Sequence, residues 1–349
     1  MTPSGFEERA TRFAAVGLRH PHGESMTEAL LDAGGELVAY VEDDDELASE
    51  FEDGFSGLRR ARSIDEILQD GTVDLVVSAA VPRDRSGIAV AAMEHGKDVL
   101  LDKPACTNAG QVDALREAAV ATGRHLAVWF DERIDNPAAL AAVELIERGA
   151  VGEVLHVIGT GPHELDLFPR PEWFYSPELA GGILVDLGCQ QIELFLTLSD
   201  SSDATVEFAR VGNVAHRERP EFQDVGDAVL RGSAGAMGYL RVDWFTPSGL
   251  GAFGDGRTLV VGTEGTLELR RDIDPCGRGE GHHLFLADGK DSRYIAVEEG
   301  PSPFARMLIS DVAMRTETTM TTEHALRVTE LSLEAQALAM ALRDREASS

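Results

Sequence analysis

The sequence predicts a doubly wound α/β domain with a parallel sheet, followed by an α+β domain on a large, mostly antiparallel sheet. Three observations carry this. Up to about residue 150, short apolar runs alternate with helical patterns at crossover spacing, as in a parallel sheet flanked by helices on both faces. Beyond that point strand patterns follow one another without intervening helices, which belongs to antiparallel pairing. The length, 349 residues, accommodates two cores. The expected domains are 1–136 and 137–349, with the closing helices free to pack back on the first.

Taken in order, residues 11–16 form a strand, and Gly17-Leu18-Arg19-His20-Pro21-His22-Gly23 turns it into a helix over 24–33 closed by Gly34-Gly35. The second strand, 36–41, runs into four acids, Glu42 to Asp45. Ser63 and Glu66 have capping-box spacing at the start of a short helix. Continuous apolar runs at 73–78, 99–101 and 125–129 are buried strands; helices are expected over 86–95, 109–122 and 137–148. In the second unit a strand at 153–159 leads into a Pro- and aromatic-rich loop, 162–177. Residues 182–198 read as one helix, apolar nearly all round and therefore buried. Strands follow at 205–211, 225–231, 238–244, 258–261, 266–270, 283–286 and 294–297, then helices at 303–315 and 323–343.

Composition excludes several classes of function. A formal net charge of −30 argues against nucleic acid or an anionic membrane surface as partner. No apolar run approaches the ~20 residues of a membrane span. The polar N-terminus is not a secretory signal. Cys106, Cys189 and Cys276 lack metal or redox spacing and read as reduced thiols of a cytoplasmic protein, with no metal site expected. Acids spread over the whole chain, with little lysine, suggest adaptation to high salt, where screening weakens self-repulsion. A melting series in molar salt tests this; greatest stability in low salt would sink it.

The stretch Val99-Leu100-Leu101-Asp102-Lys103-Pro104 organises the rest. The apolar run is a buried strand, and Pro104 keeps Lys103 extended at the strand's carboxyl end, where open parallel sheets place their ligands. Lysines are scarce (Lys97, Lys103 and Lys290), and arginine carries nearly all the positive charge. Lysine can be tuned to release its proton and arginine effectively cannot, so Lys103 marks proton transfer.

A dinucleotide-binding (Rossmann) fold needs a glycine turn after its first strand so that backbone N–H groups approach a pyrophosphate. Gly17, Leu18 and Arg19 form that turn, with Arg19 in place of the second glycine and able to reach a phosphate; His20 and His22 read equally well as solvated loop residues. Glu42, ending the second strand, is placed to take the ribose hydroxyls of NAD, and the acids after it would repel the extra phosphate of NADP.

Asp102-Lys103-Pro104 resembles the Glu-Lys-Pro triplet of the Gfo/Idh/MocA family of NAD(P)-dependent oxidoreductases. Gly181-Gly182-Ile183-Leu184-Val185-Asp186-Leu187-Gly188-Cys189-Gln190 resembles its second signature, two glycines and a helix with Asp and His four apart. Asp186 matches; Gln190 stands where the family has histidine. Phe130-Asp131-Glu132-Arg133 is similar to a family segment whose arginine borders the site. The resemblance implies Lys103, Asp186 and Gln190 as catalytic group, Asp102 and Lys103 beside the cofactor, and Arg133 at the substrate; from their place in the loop after the strand at 153–159, His163 is the candidate substitute for the missing histidine, and Trp173 reads equally well as pocket lining or core packing. It implies an NAD(P)-dependent sugar or polyol dehydrogenase, assembled as a homodimer or tetramer through its second sheet; the acids after the second strand favour NAD over NADP. Gln190 leaves two alternatives open: an NAD- and ligand-binding protein without catalysis, or a redox-assisted lyase or hydrolase that recycles NAD.

Overall fold

The structure is a computed structural model and describes residues 9–165, 169–274, 276–278, 281–298 and 300–347. Its first sheet contains β1 (Arg12–Leu18), β2 (Glu36–Val41), β3 (Leu75–Ala79), β4 (Asp98–Asp102) and β5 (Leu126–Trp129). All neighbours are parallel, in the order β2-β1-β3-β4-β5. Every residue of β3, β4 and β5 is buried, which is why these strands read as continuous apolar runs. The order reverses between β1 and β3, and the crevice at their carboxyl ends is the topological switch point.

The helices of this part are α1 (His22–Asp32), α2 (Asp45–Gly54), α3 (Ile64–Gln69), α4 (Pro82–Glu94), α5 (Ala109–Thr122), α6 (Asp131–Ile134) and α7 (Pro137–Glu147). Three differences from expectation have a local cause. The acidic run after β2 is not a plain turn: Asp44 accepts from the N–H groups of Glu46 and Leu47 and so caps α2, which buries Ala48 and Phe51. Helix α4 starts at Pro82, four residues early, because proline at a first helical position loses no needed N–H. The capping box at Ser63 does not form; the Ser63 side chain makes no cap bond, and Glu66 accepts instead from Arg59 and the Arg62 N–H.

The second sheet has eight strands: β6 (Val154–Pro162), β7 (Ala204–Gly212), β8 (Val225–Gly232), β9 (Met237–Asp243), β10 (Arg257–Gly262), β11 (Gly265–Arg270), β12 (His283–Asp288) and β13 (Ser292–Ile295). Their order is β13-β12-β11-β10-β6-β9-β8-β7, antiparallel except for the central β6–β9 pair. The last strand lies two residues before its expected position.

Between β6 and β7 run α8 (Pro177–Ala180), α9 (Ile183–Asp186) and α10 (Gly188–Leu198). The expected single helix is thus broken at Leu187, just after Asp186. Within 177–198 the chain is long and apolar enough to cross a membrane, contrary to the expectation from apolar runs, but 83% of that window is buried as core. Helix α10 lies on the inner face of the sheet. A Cβ on Gly238 would stand 2.8 Å from the Phe195 ring, so glycine lets strand and helix approach. Helices α11 (Pro303–Met314) and α12 (Thr322–Ala347) close the chain. Helix α12 contacts β7 and α10 on one side and α5 and β5 on the other. His125 Nε2 stands 2.7 Å from the Met320 carbonyl oxygen, fixing the approach of α12 to β5.

Candidate active site

The end of β4 is built around buried charge. Arg85 reaches from α4, 1% exposed, and donates to Asp102 Oδ2 at 2.7 Å and to the Asp102, Pro104 and Ala80 carbonyls. With both oxygens engaged and no exposure, Asp102 sits behind the cavity wall; its carboxyl is held well below the usual range because Arg85, His20 and His22 outweigh the cost of burial. The next residue, Lys103, points the other way and donates from Nζ to Asp186 Oδ1 at 2.9 Å. Burial disfavours its ammonium, but Asp186, Asp102 and Asp131 prevail, and its pKa is raised above that of a free lysine. The resting form is therefore a charged proton donor.

Asp186 reaches Lys103 because α9 begins where only glycine fits. Gly181 and Gly182 have φ of +97° and +90°, and a Cβ on Gly182 would lie 2.7 Å from Gln336 Nε2 and 2.8 Å from Gln223 Oε1. Those two glutamines accept from the Ile183 and Leu184 N–H groups, satisfying the start of the helix. Close approach is thus to side chains from β8's lead-in and α12, not to another backbone.

The first turn of α1 joins the same network. His22 Nδ1 lies 2.8 Å from Asp102 Oδ1 and His20 Nδ1 3.2 Å from Asp102 Oδ2. Burial pulls His20 down to about 3, against Asp102 and with His22, Lys103 and Arg85. His22 also loses by burial, but Asp102 and Asp131 more than compensate, and its pKa is raised. On α6, Asp131 accepts from Gln190 Nε2 at 2.6 Å and from Arg271 at 3.2 Å, and Gln190 Oε1 accepts the Glu132 N–H at 3.1 Å. Gln190 is therefore a tie between α10 and α6. Among the described residues, His20, His22 and Asp102 are the one group of three whose metal-ligand-type atoms converge, within 4.8 Å. Arg85 already neutralises their single carboxylate and Lys103 adds a further positive charge, so the charge around the cluster opposes a cation.

Lys103, Asp186, Gln190 and His22 line a cavity of about 200 Å³ whose opposite wall is aromatic. His163, 7% exposed, stands 3.2 Å from the Gly161 carbonyl oxygen through Nδ1 and packs on Trp244 and Phe253. Burial, with Lys103 and Arg271, lowers it to about 3, so it is neutral. Trp173 borders the cavity. Arg170 stacks over Phe174 at 4.8 Å and Trp244 at 5.0 Å on this wall. Arg133 is not at the cavity; its Nε lies 2.5 Å from Glu193 Oε1, and His324 of α12 shares that carboxylate.

The nucleotide turn lies beside the cavity mouth. Gly17 has φ +73°, and a Cβ there would stand 2.6 Å from that of Ala80, so β1 turns against β3 only as glycine. Glu42 does not reach out from β2. Its side chain is 1% exposed, accepts the Leu18 N–H at 2.7 Å and the Asp44 N–H at 2.9 Å, and pairs with Arg19 at 2.7 Å. Arg19 also meets Asp44 at 3.2 Å. Glu42 and Arg19 thus brace the turn, while the neighbouring Asp43 is exposed. The close β1–β3 approach at Gly17, followed by an 11-residue helix at the switch point, fits the cradle of a dinucleotide.

Sequence reasoning left out Arg85, Arg271 and the acid of Asp131, and left open whether the two histidines are solvated. The signal for Asp131 and His22 was positional: each follows a parallel strand at its carboxyl end. Arg271 follows β11, remote in sequence, and nothing local marks it.

Comparison with known proteins covers both sheets. Residues 11–130 match the family model described as oxidoreductase family, NAD-binding Rossmann fold, and residues 139–268 match that of the GFO/IDH/MocA C-terminal domain. A crystal structure from Erwinia carotovora atroseptica SCRI1043 is 40% identical, covering 94% of this chain and 98% of that one with a TM-score of 0.90. The scyllo-inositol 2-dehydrogenase (NAD(+)) of Bacillus subtilis is 26% identical over 245 residues, 68% of this chain and 65% of that protein. A levoglucosan dehydrogenase in complex with NADH and L-sorbose is 18% identical and shares the fold, with a TM-score of 0.80 over 95% of this chain and 97% of that one. The chain spans between 48% and 65% of the length of three curated relatives it matches.

Proposed function

The chain belongs to the GFO/IDH/MocA family of oxidoreductases, and on that premise we propose that it moves a hydride between NAD and a secondary alcohol or ketone of a sugar or polyol. The observation that carries the proposal is the 2.9 Å Lys103–Asp186 pair, drawn from elements 83 residues apart onto one small cavity beside the glycine turn. NAD(H), when bound, supplies the hydride chemistry. The chain holds the reacting oxygen and handles its proton.

Lys103 is the group for that proton. Its charged resting form hydrogen-bonds a carbonyl oxygen and protonates it as the alcohol forms; in oxidation the neutral amine receives the same proton. Asp186 keeps the ammonium oriented. Gln190 positions Asp131, and only the second hydrogen of its amide is left for substrate, with no titration of its own. His163, neutral and facing the cavity, offers a hydrogen bond to a hydroxyl, and Trp173 offers a flat apolar face to a sugar ring. Exposed Asp43, with Asp44 and Asp45, opposes the extra phosphate of NADP, so NAD is the proposed cofactor. The open face of the eight-stranded sheet exposes Ile158, Phe208 and Tyr239, and the proposed homo-oligomer forms there; light scattering after size exclusion reads its mass.

The experiment is a screen of inositols, anhydrosugars and ketoses read by NADH absorbance, with Lys103→Met beside the wild type. The expected loss in kcat is about 100- to 10,000-fold, with NADH affinity nearly unchanged. Equal turnover by the variant, or no turnover of any polyol or ketose by the wild type, would overturn the reading.

A further inference from the structure

A histidine of the cavity lies between two carboxylates. His22 opens α1, and its ring is bracketed by two carboxylates: Nδ1 is 2.8 Å from Asp102 Oδ1 and Nε2 is 3.7 Å from Asp131 Oδ1. Asp102 cannot turn away, because Arg85 holds its other oxygen at 2.7 Å and the carboxylate is completely buried. A carboxylate only accepts, so Nδ1 carries a hydrogen and Nε2 is the nitrogen presented toward Asp131 and the cavity. Position 190, where the resemblance to the family leads one to expect histidine, is occupied by an amide whose two ends are both engaged on α6.

We propose that His22 is the second proton-exchanging side chain of this site, supplying from the first turn of α1 the titratable group that Gln190 lacks. The proposal rests on the reductase reading above. In the reducing direction the carbonyl carbon gains a hydride from the dihydronicotinamide, which is thereby oxidised, and the carbonyl oxygen gains the Lys103 proton. The neutral Nζ then regains a proton from His22 Nε2, directly or through one water. This leaves a neutral imidazole with its Nδ1–H still on Asp102, and solvent recharges it. One ketone, one hydride and one proton give one alcohol.

The groups around His22 agree with this assignment. Asp102 and Lys103 face it from the end of β4, Asp131 from α6 and His20 from its own turn; Arg85 on α4 lies behind Asp102. Burial disfavours the imidazolium, but the two carboxylates outweigh burial and Lys103 together and raise the ring above its ordinary value. His20, pulled down to about 3, does not compete for the proton.

The test begins on the full chain without substrate or cofactor, labelled with ¹⁵N-histidine and titrated by NMR. One ring is expected to keep Nδ1–H, titrate above the ordinary histidine value, vanish in His22→Gln, and lose at least about tenfold in proton affinity in Asp131→Asn. Should Asp131→Asn fail to fold, Asp102→Asn is read in the same way. Titration at or below the ordinary value, or a ring indifferent to both carboxylates, overturns the proposal. In turnover of a ketose with NADH, His22→Gln is expected to lose about 100-fold in kcat, to shift the alkaline limb of the pH profile, and to keep NADH affinity. An unshifted profile also overturns it. Failure of the reductase reading shows separately, as a wild type that reduces nothing while the NMR titration still decides the state of His22.

Discussion

The two walls of the cavity are built on opposite principles. The first wall, gathered at the ends of β4 and β5 from both halves of the chain, is a lattice of paired charges: Arg85 on Asp102, Lys103 on Asp186, Arg271 and Gln190 on Asp131. The wall from the second sheet is aromatic, Phe174, Trp244 and Phe253, with Arg170 laid across it and a neutral His163. Buried charges demand partners, so the first wall tolerates few geometries. Stacked rings demand only area and shape, so the second can vary without unfolding the protein. On the proposed function, the chemistry belongs to the constrained wall and substrate choice to the permissive one.

The sharpest way to break this contrast is Arg85→Met. It leaves Asp102 charged and buried with only histidines beside it, and is expected to cost about 3–5 kcal/mol of stability in urea unfolding. Arg85→Met with Asp102→Asn should restore much of that, since no buried charge is then stranded. A single variant within about 1 kcal/mol of wild type would mean that the first wall is not held by its ion pairs.

Arg170→Ala probes the second wall. Removing the stacked guanidinium should raise KM about tenfold with kcat nearly unchanged, the signature of lost uniform binding, while the melting temperature barely moves. If kcat fell together with kcat/KM, the aromatic wall would be part of the chemistry and the division drawn above would be wrong.

The same division explains what was legible in the sequence. Strand β4 and Lys103 were readable because burial on both faces and a following proline are local patterns. The antiparallel character of the second sheet was readable from the missing crossovers. Arg85 lies in an ordinary helix, and only folding shows that its side chain meets β4. Glu42 was placed correctly at the end of β2 but given the wrong task; its partners, the Leu18 and Asp44 N–H groups, depend on how the turn folds back. The break at Leu187 was invisible because both halves of 183–198 are apolar, and periodicity does not register a single shifted turn. The aromatic wall was seen only as a loop rich in rings, since stacking of Arg170 on Trp244 joins positions far apart in the chain.

Glu132 sits where the two walls meet, and its full effect is confined to one side of neutrality. Its side chain is 6% exposed and accepts from Gln191, and burial lifts its carboxyl to about 7, with Asp131 reinforcing and Arg271 and Lys103 opposing. A raised acid keeps its proton in the folded chain after the unfolded chain has lost it. Stability therefore declines as pH rises from about 4.5 toward 7, and above 7 the full cost of the buried carboxylate is present. Glu132→Gln removes that ionisation while keeping the shape. It should be more stable than wild type by about 1–3 kcal/mol at pH 8.5, with the advantage vanishing near pH 4.5. Urea unfolding at the two pH values measures the difference. Parallel curves would place Glu132 among the compensated charges of the first wall; converging curves mark it as the one acid at the seam that its neighbours do not fully balance.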